Sequence, residues 1–196
     1  MGQIFIEDNI NFWFIKMPAL SLVIAPDPIF KMKSAPVEVN AEIQKLMDDL
    51  LETIYSEQAA GIAAPMVGVL KQVVVIDLQE EGQKNPLFMA NPEIIERSEE
   101  MQTFTEGSLC YPGISEKVTR PTKITVKYLD YNGVEQILTA DDFLATCILH
   151  EVDYLHGVTF LDYVSKVKRD ILMRKMAKFK KHGYKPHVHG EHCNHG

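Results

Sequence analysis

Hydrophobic spacing along this chain changes period twice, and the order of those changes constrains its fold most. Residues 40–58 carry Ile43, Leu46, Met47, Leu50, Leu51 and Ile54 at helical intervals, with Asn40 placed to cap the start. The middle reads as strands, at 73–77, at 87–95 with a break near Asn91-Pro92, and at 101–109. Residues 124–129 and 134–138 flank Asn132-Gly133. That dipeptide favours a tight turn with both central residues at positive φ, so it predicts a hairpin. Asp141 or Asp142 opens a second helix that stops at Gly157. A last helix spans 166–181, with Ile171, Leu172, Lys175-Met176 and Phe179 as its inner stripe. Between the first helix and the first strand, residues 59–68 are small and too poor in bulk for an ordinary strand. Strands in the middle with helices toward both ends make an α+β pattern, not alternating parallel units.

Length and charge narrow the setting. With 196 residues the chain can bury one good core. No apolar run is long enough to span a membrane, so no membrane partner is expected. Phe12-Trp13-Phe14-Ile15 follows Glu7 and Asp8 and precedes no small-residue cleavage site. Residues 1–16 therefore read as an N-terminal extension rather than a signal peptide. Three cysteines, Cys110, Cys147 and Cys193, give no disulfide framework and fit a reducing cytoplasm. Beyond a folded domain at 17–182 lies a tail, 183–196, with His187, His189, His192, Cys193 and His195 among Gly, Pro and Lys. It cannot build a core, reads as mobile, and can bind Zn, Ni or Cu adventitiously. A dedicated metal-binding role through this tail is one alternative function. Residues 166–196 carry a formal +7 and the remainder −14. A basic last helix on an acidic body suggests an anionic partner such as RNA, but the plainer reading of a solvated helix face is preferred. No DNA partner is expected.

His150-Glu151-Val152-Asp153-Tyr154 is a metallohydrolase helix motif with its last letter changed. The usual form sets two His one turn apart to grip one metal, while the Glu acts as general base on the metal-bound water. Here Tyr154 stands in place of the second His.

Three segments accompany each other in order: Gly61-Ile62-Ala63-Ala64-Pro65-Met66-Val67-Gly68, Glu106-Gly107-Ser108-Leu109-Cys110, and His150 through Gly157. With Pro26-Asp27-Pro28, Val37-Glu38-Val39-Asn40, Val75-Ile76-Asp77 and Asn91-Pro92, this arrangement resembles the peptide deformylases over roughly residues 17–180. The resemblance implies a mixed α+β fold, with antiparallel sheets around the central motif-bearing helix and a C-terminal helix. It implies hydrolysis of the N-formyl group from formyl-Met of new bacterial polypeptides. It also implies a divalent metal, usually Fe, held by one Cys and two His, with the Glu as general acid/base. A Gln side chain and a Leu backbone N–H stabilise the oxyanion.

Carried across, the first His falls at His150, the general base at Glu151 and the backbone donor at Leu109. The Cys falls at Ser108, the second His at Tyr154 and the Gln at Met66. A Ser hydroxyl is a weak neutral ligand beside a thiolate, and Tyr ligates only as phenolate. Met66 offers no N–H donor, and losing one oxyanion donor typically lowers the rate about a hundred- to thousandfold. Cys110 is a possible substitute ligand, if a bulge turns it inward beside Ser108. His156 lies about 120° around the helix from His150 and is less suited. Without metal, Glu151 is a buried carboxylate needing Tyr154, Ser108 or water as partner, and Tyr154 and Met66 fill the vacated volume.

Gly61, Ile62, Arg120 and Cys147 are the expected groove residues. Cys147 sits where the family places its Met side-chain pocket, and Arg120 where it has a substrate-side Arg; a surface salt bridge explains Arg120 nearly as well. The leading expectation is a deformylase-like protein with its ordinary activity lost or strongly reduced. It binds no metal, or only a weak divalent one. Its groove still suits a peptide N-terminus, and its basic last helix suits the ribosome. The alternative is an active deformylase with a rearranged Fe or Zn site that uses Cys110.

Overall fold

A computed structural model of the chain describes residues 19–182. The expected extension at 1–16 and the His-rich tail at 183–196 lie outside these residues. The first helix, α1 (Ala41–Glu57), begins where Asn40 Oδ1 accepts the backbone N–H groups of Glu42 and Ile43, at 3.0 and 3.1 Å. It buries Ile43, Met47, Leu50 and Ile54 along one face and ends at Gln58, which turns left-handed at φ 54°. Each fully buried aliphatic side chain contributes roughly 1.5–3 kcal/mol, so this stripe outweighs propensity in holding the helix. Replacing the cap, Asn40→Ala, is expected to lower stability by about 1 kcal/mol in a denaturation curve.

Among the described residues seven strands follow: β1 (Gly61–Ala63), β2 (Val73–Ile76), β3 (Leu87–Arg97), β4 (Met101–Gly107), β5 (Ser115–Pro121), β6 (Lys123–Leu129) and β7 (Glu135–Asp141). Five form one antiparallel sheet in the order β1-β2-β3-β6-β7, and β4-β5 form a second, two-stranded one. The helix α2 (Asp142–Leu155) packs against both sheets and carries the His-Glu motif. It is buried on most sides, with Ala145, Ile148, Leu149, Val152 and Leu155 in the core beside the polar His150 and Glu151. The last helix is α3 (Lys166–Lys181).

Several elements differ from the sequence reading. The small-residue stretch does hold a strand, the three-residue β1, which pairs with β2 through Ile62 and Val75. No break interrupts β3 at Asn91-Pro92; the strand bulges there instead. Pro92 has no N–H to give, and Asn91 adopts φ 51°, a conformation Asn tolerates better than most residues. The Asn91 side chain accepts from Val37 N–H at 2.8 Å and donates to Val37 O at 2.7 Å, clamping the segment before α1. The strand expected at 101–109 ends at Gly107, and residues 108–110 form a turn. The strand β5 went unread because an inward position is held by Arg120, which breaks the apolar alternation. On α3 only Leu172 and Met176 are buried, while Ile171 and Phe179 of the expected stripe are 52% and 46% exposed.

Gly157 ends α2 at φ 72°, and a Cβ there would lie 2.8 Å from the Lys31 backbone. That position fixes α2 against the N-terminal segment.

Candidate functional site

One cavity of about 450 Å³ opens beside α2. Cys147, His150 and Glu151 line it from the helix, Gly61 from β1, Met66 from the short turn after β1, and Ser108 and Leu109 from the turn after β4. The spacing of Cys147, His150 and Glu151, three and four residues apart, puts them on one helix face.

His150 is anchored from behind. Its Nδ1 lies 2.7 Å from Glu106 Oε2, so the other ring nitrogen is left for the cavity side. Glu106 is held in turn by Arg120, whose Nε and Nη2 donate to its two oxygens at 2.6 and 2.9 Å. Arg120 Nη1 also donates to Asp153 Oδ2 at 2.8 Å, and Tyr163 donates to the same oxygen at 2.8 Å. Burial alone would push the Glu106 carboxyl up, but the hydrogen bonds from His150 and Arg120 outweigh it and hold the pKa below its usual value. For His150, burial disfavours the charge, and the Glu106 bond with the neighbouring carboxylates outweighs it, raising the pKa.

Glu151 is differently placed. It is 5% exposed, and burial pushes its carboxyl up to about 7. Its Oε2 is buried with no hydrogen-bond partner among the described residues. The partners expected for it do not serve it. Tyr154 instead donates its hydroxyl to Ser108 Oγ at 2.7 Å, and Ser108 Oγ also accepts the Cys110 N–H at 3.2 Å. The Tyr154 ring is fully buried, edge-on to Phe30 with centroids 5.6 Å apart. Burial drives its phenol pKa well above the ordinary value.

Met66 presents its thioether as an acceptor, 3.4 Å from the Ala63 N–H. It therefore gives the cavity no hydrogen-bond donor where the expected Gln would. Cys110 does not turn toward the cavity as a bulge would require. It is fully buried, with Sγ 3.8 Å from the Met66 carbonyl oxygen, because the chain has left the strand and turned at Ser108. Burial also raises its thiol pKa, which suppresses thiolate.

Of the expected groove residues, Gly61 and Cys147 line the cavity, and burial pushes the Cys147 thiol up to about 12. Ile62 faces the core at 0% exposure and is no part of the cavity wall. Arg120 is neither a substrate-side residue nor a surface ion pair. At 3% exposure it lies behind the wall and holds Glu106. A strand's period of two explains Ile62, since the side chain next to the wall residue Gly61 points to the other face. Sequence reasoning gave no role to Glu106, although it anchors His150. Its only signal was a charged residue at an inward strand position, which a single sequence does not distinguish from a solvated one.

The described residues also match a family model, that of polypeptide deformylase, over residues 19–170. The chain belongs to the polypeptide deformylase family. A peptide deformylase-like protein of Rickettsia conorii is 48% identical, covering 91% of this chain and 97% of the relative. The peptide deformylase of Rhizobium meliloti is 45% identical, covering 80% and 91%. The crystal structure of the Ehrlichia chaffeensis peptide deformylase in complex with actinonin superposes with a TM-score of 0.80 at 41% identity, covering 85% of this chain and all of that one. The deformylase fold thus accounts for the antiparallel sheets around α2 and for the C-terminal α3.

Deformylases are metal-dependent, and the donors here do not fit that metal. A first-row divalent ion calls for thiolate, imidazole or carboxylate donors. Among the described residues no three His, Cys, Asp or Glu side chains are grouped to hold one. Ser108 and Tyr154, where the resemblance puts two ligands, are a hydroxyl and a phenol bonded to each other.

Proposed function

We propose that this chain is a deformylase-family protein whose metal-dependent deformylation is lost or strongly reduced. The observation that carries this reading is the Tyr154–Ser108 hydrogen bond, which joins two family ligand positions in a neutral, buried pair. Met66 in place of the oxyanion Gln points the same way, since it removes the side-chain donor for a developing oxyanion. Cys110 offers an active alternative little support, being buried in the core. The tail's metal-binding role rests on residues outside those described.

The cavity retains the features of a peptide groove. Its wall includes residues of β1 and β4, and each is the end strand of its sheet on that side. An extended peptide N-terminus fits between two such edges by adding main-chain hydrogen bonds. The exposed Lys166, Arg174, Lys175, Lys178 and Lys181 on α3 suit an anionic partner, which in this reading is the ribosome.

The test is metal analysis beside a formyl-Met peptide assay, on the full chain and on a chain ending at His182. The expected result is no stoichiometric Fe or Zn in the shorter chain and no turnover by either. Metal in the shorter chain together with turnover would overturn the reading.

A further inference from the structure

Ser108 and Tyr154 stand where the resemblance puts two of three metal ligands, and they sit on different elements. Tyr154 is on α2, and Ser108 is on the turn after β4. An ion held at both positions would join that turn to the helix, and the free energy of such binding is folding free energy. The donors present do not fit an ion, yet the turn is joined to α2 at the same place. Tyr154 donates its hydroxyl to Ser108 Oγ at 2.7 Å, and that oxygen also accepts the Cys110 N–H at 3.2 Å. One oxygen thus ties the turn both to itself and to the helix.

Packing aims the Tyr154 hydroxyl. Its ring belongs to a closed circuit of five, running from His150 to Tyr154, Phe30, Tyr111, Phe160 and back to His150. The successive ring centroids are 5.6, 5.6, 5.7, 5.5 and 6.2 Å apart, within the range of paired aromatic rings. The circuit draws together α2, the turn after β4 and the short helical turns Pro28–Lys31 and Phe160–Tyr163. Tyr111 also donates its backbone N–H to Ser108 O at 3.0 Å, so rings and hydrogen bonds hold the same turn. The Tyr154 ring is fully buried, and its hydroxyl cannot swing to another acceptor without disturbing the other four rings.

Resting on the metal-free reading above, we infer that the Tyr154–Ser108 pair, aimed by its aromatic circuit, fastens the turn after β4 to α2 in place of an ion. This wall of the cavity therefore stays assembled without metal. Both groups are neutral and each satisfies the other, so the fastening buries no charge. Tyr154 and Ser108 act as one matched pair. Ser108 without the phenol loses its link to α2, and Tyr154 without the serine is left with a buried hydroxyl that has no acceptor.

Amide hydrogen exchange on the full chain tests this, with the Cys110 and Tyr111 amides read against those of β3, the central strand of the larger sheet. A chelator is expected to leave the parent turn as protected as before. Tyr154→Phe keeps the ring and removes only the hydroxyl. It is expected to speed exchange in the turn about five- to tenfold relative to β3, the size of one neutral hydrogen bond. Ser108→Ala is expected to speed it more, because it strands the Tyr154 hydroxyl and the Cys110 N–H together. The double variant is expected to do no worse than Ser108→Ala, whose damage already includes loss of the pair. If Ser108→Ala does not fold, Tyr154→Phe and the chelator carry the test. Loosening of the parent turn by the chelator, no change in Tyr154→Phe, or a double variant equal to the product of the two single effects overturns the inference. Metal content and formyl-Met peptide turnover measured on the same preparation separate the two failures. Metal with turnover sinks the reading beneath, whereas a metal-free, inert chain whose turn ignores Tyr154→Phe sinks this inference alone.

Discussion

The triple variant Ser108→Cys, Tyr154→His, Met66→Gln is expected to bind one divalent metal and to deformylate a formyl-Met peptide faster than the parent. Most of the surrounding apparatus is in place. Glu106 already orients His150 through Nδ1, and Arg120 holds Glu106. Glu151 already lines the cavity, as a general base must. Tyr154→His places an imidazole one helical turn from His150, and Ser108→Cys places a thiol where the Tyr154 hydroxyl now bonds. The three donors therefore converge on one volume. The gain should be cooperative. Either ligand restored alone leaves too few donors, and Met66→Gln without metal has no oxyanion to stabilise. On a metal-loaded double variant, adding Met66→Gln is expected to raise the rate about a hundred- to thousandfold. Metal analysis, the deformylation rate and its loss to a chelator are the measurements. A triple variant that folds yet holds no metal would show that the divergence extends beyond these three positions.

Arg120→Ala is expected to destabilise the fold by about 3–5 kcal/mol, the range for removing one partner of a buried ion pair. The side chains of Arg120 and Glu106 are 3% and 4% exposed, so the orphaned carboxylate could not recover its solvation in water. The loss extends past the pair, because Arg120 also joins Asp153 and Tyr163 and so ties β5 to α2 and to the turn before α3. Set against a total stability of about 5–15 kcal/mol for a typical domain, this is a large fraction. Chemical denaturation gives the number. A change under about 1 kcal/mol, the size expected of a surface pair, would mean that the network is solvated. The double variant Arg120→Met, Glu106→Leu should recover part of the loss, since apolar replacement of both partners removes the stranded charge.

Much of the architecture was readable from local chemistry. Asn40 before an apolar stripe set the start of α1, and Asn132-Gly133 set the β6–β7 turn. Asp141 or Asp142 and Gly157 bracketed α2, and the family resemblance made it the central helix. Failures fell where a side chain's environment overrode its type. Arg120 hid β5 by occupying an inward strand position. Asn91-Pro92 read as a break and became a bulge, where the Asn side chain clamps Val37 across the fold. Cys110 read as a possible substitute ligand, and one turn after β4 sent it into the core.

The sequence by itself determined the family, the α+β pattern and the expectation that Ser108, Tyr154 and Met66 stand in for a Cys, a His and a Gln, because residue identity and spacing carry that information directly. Only the tertiary structure decided what those replacements do together. It closed Tyr154 onto Ser108, turned the Met66 sulfur toward Ala63, and left one Glu151 oxygen buried without a partner. Ser108 and Tyr154 are 46 residues apart in the chain. Hydrogen bonding and burial depend on distance in space, and folding alone brings such residues within reach.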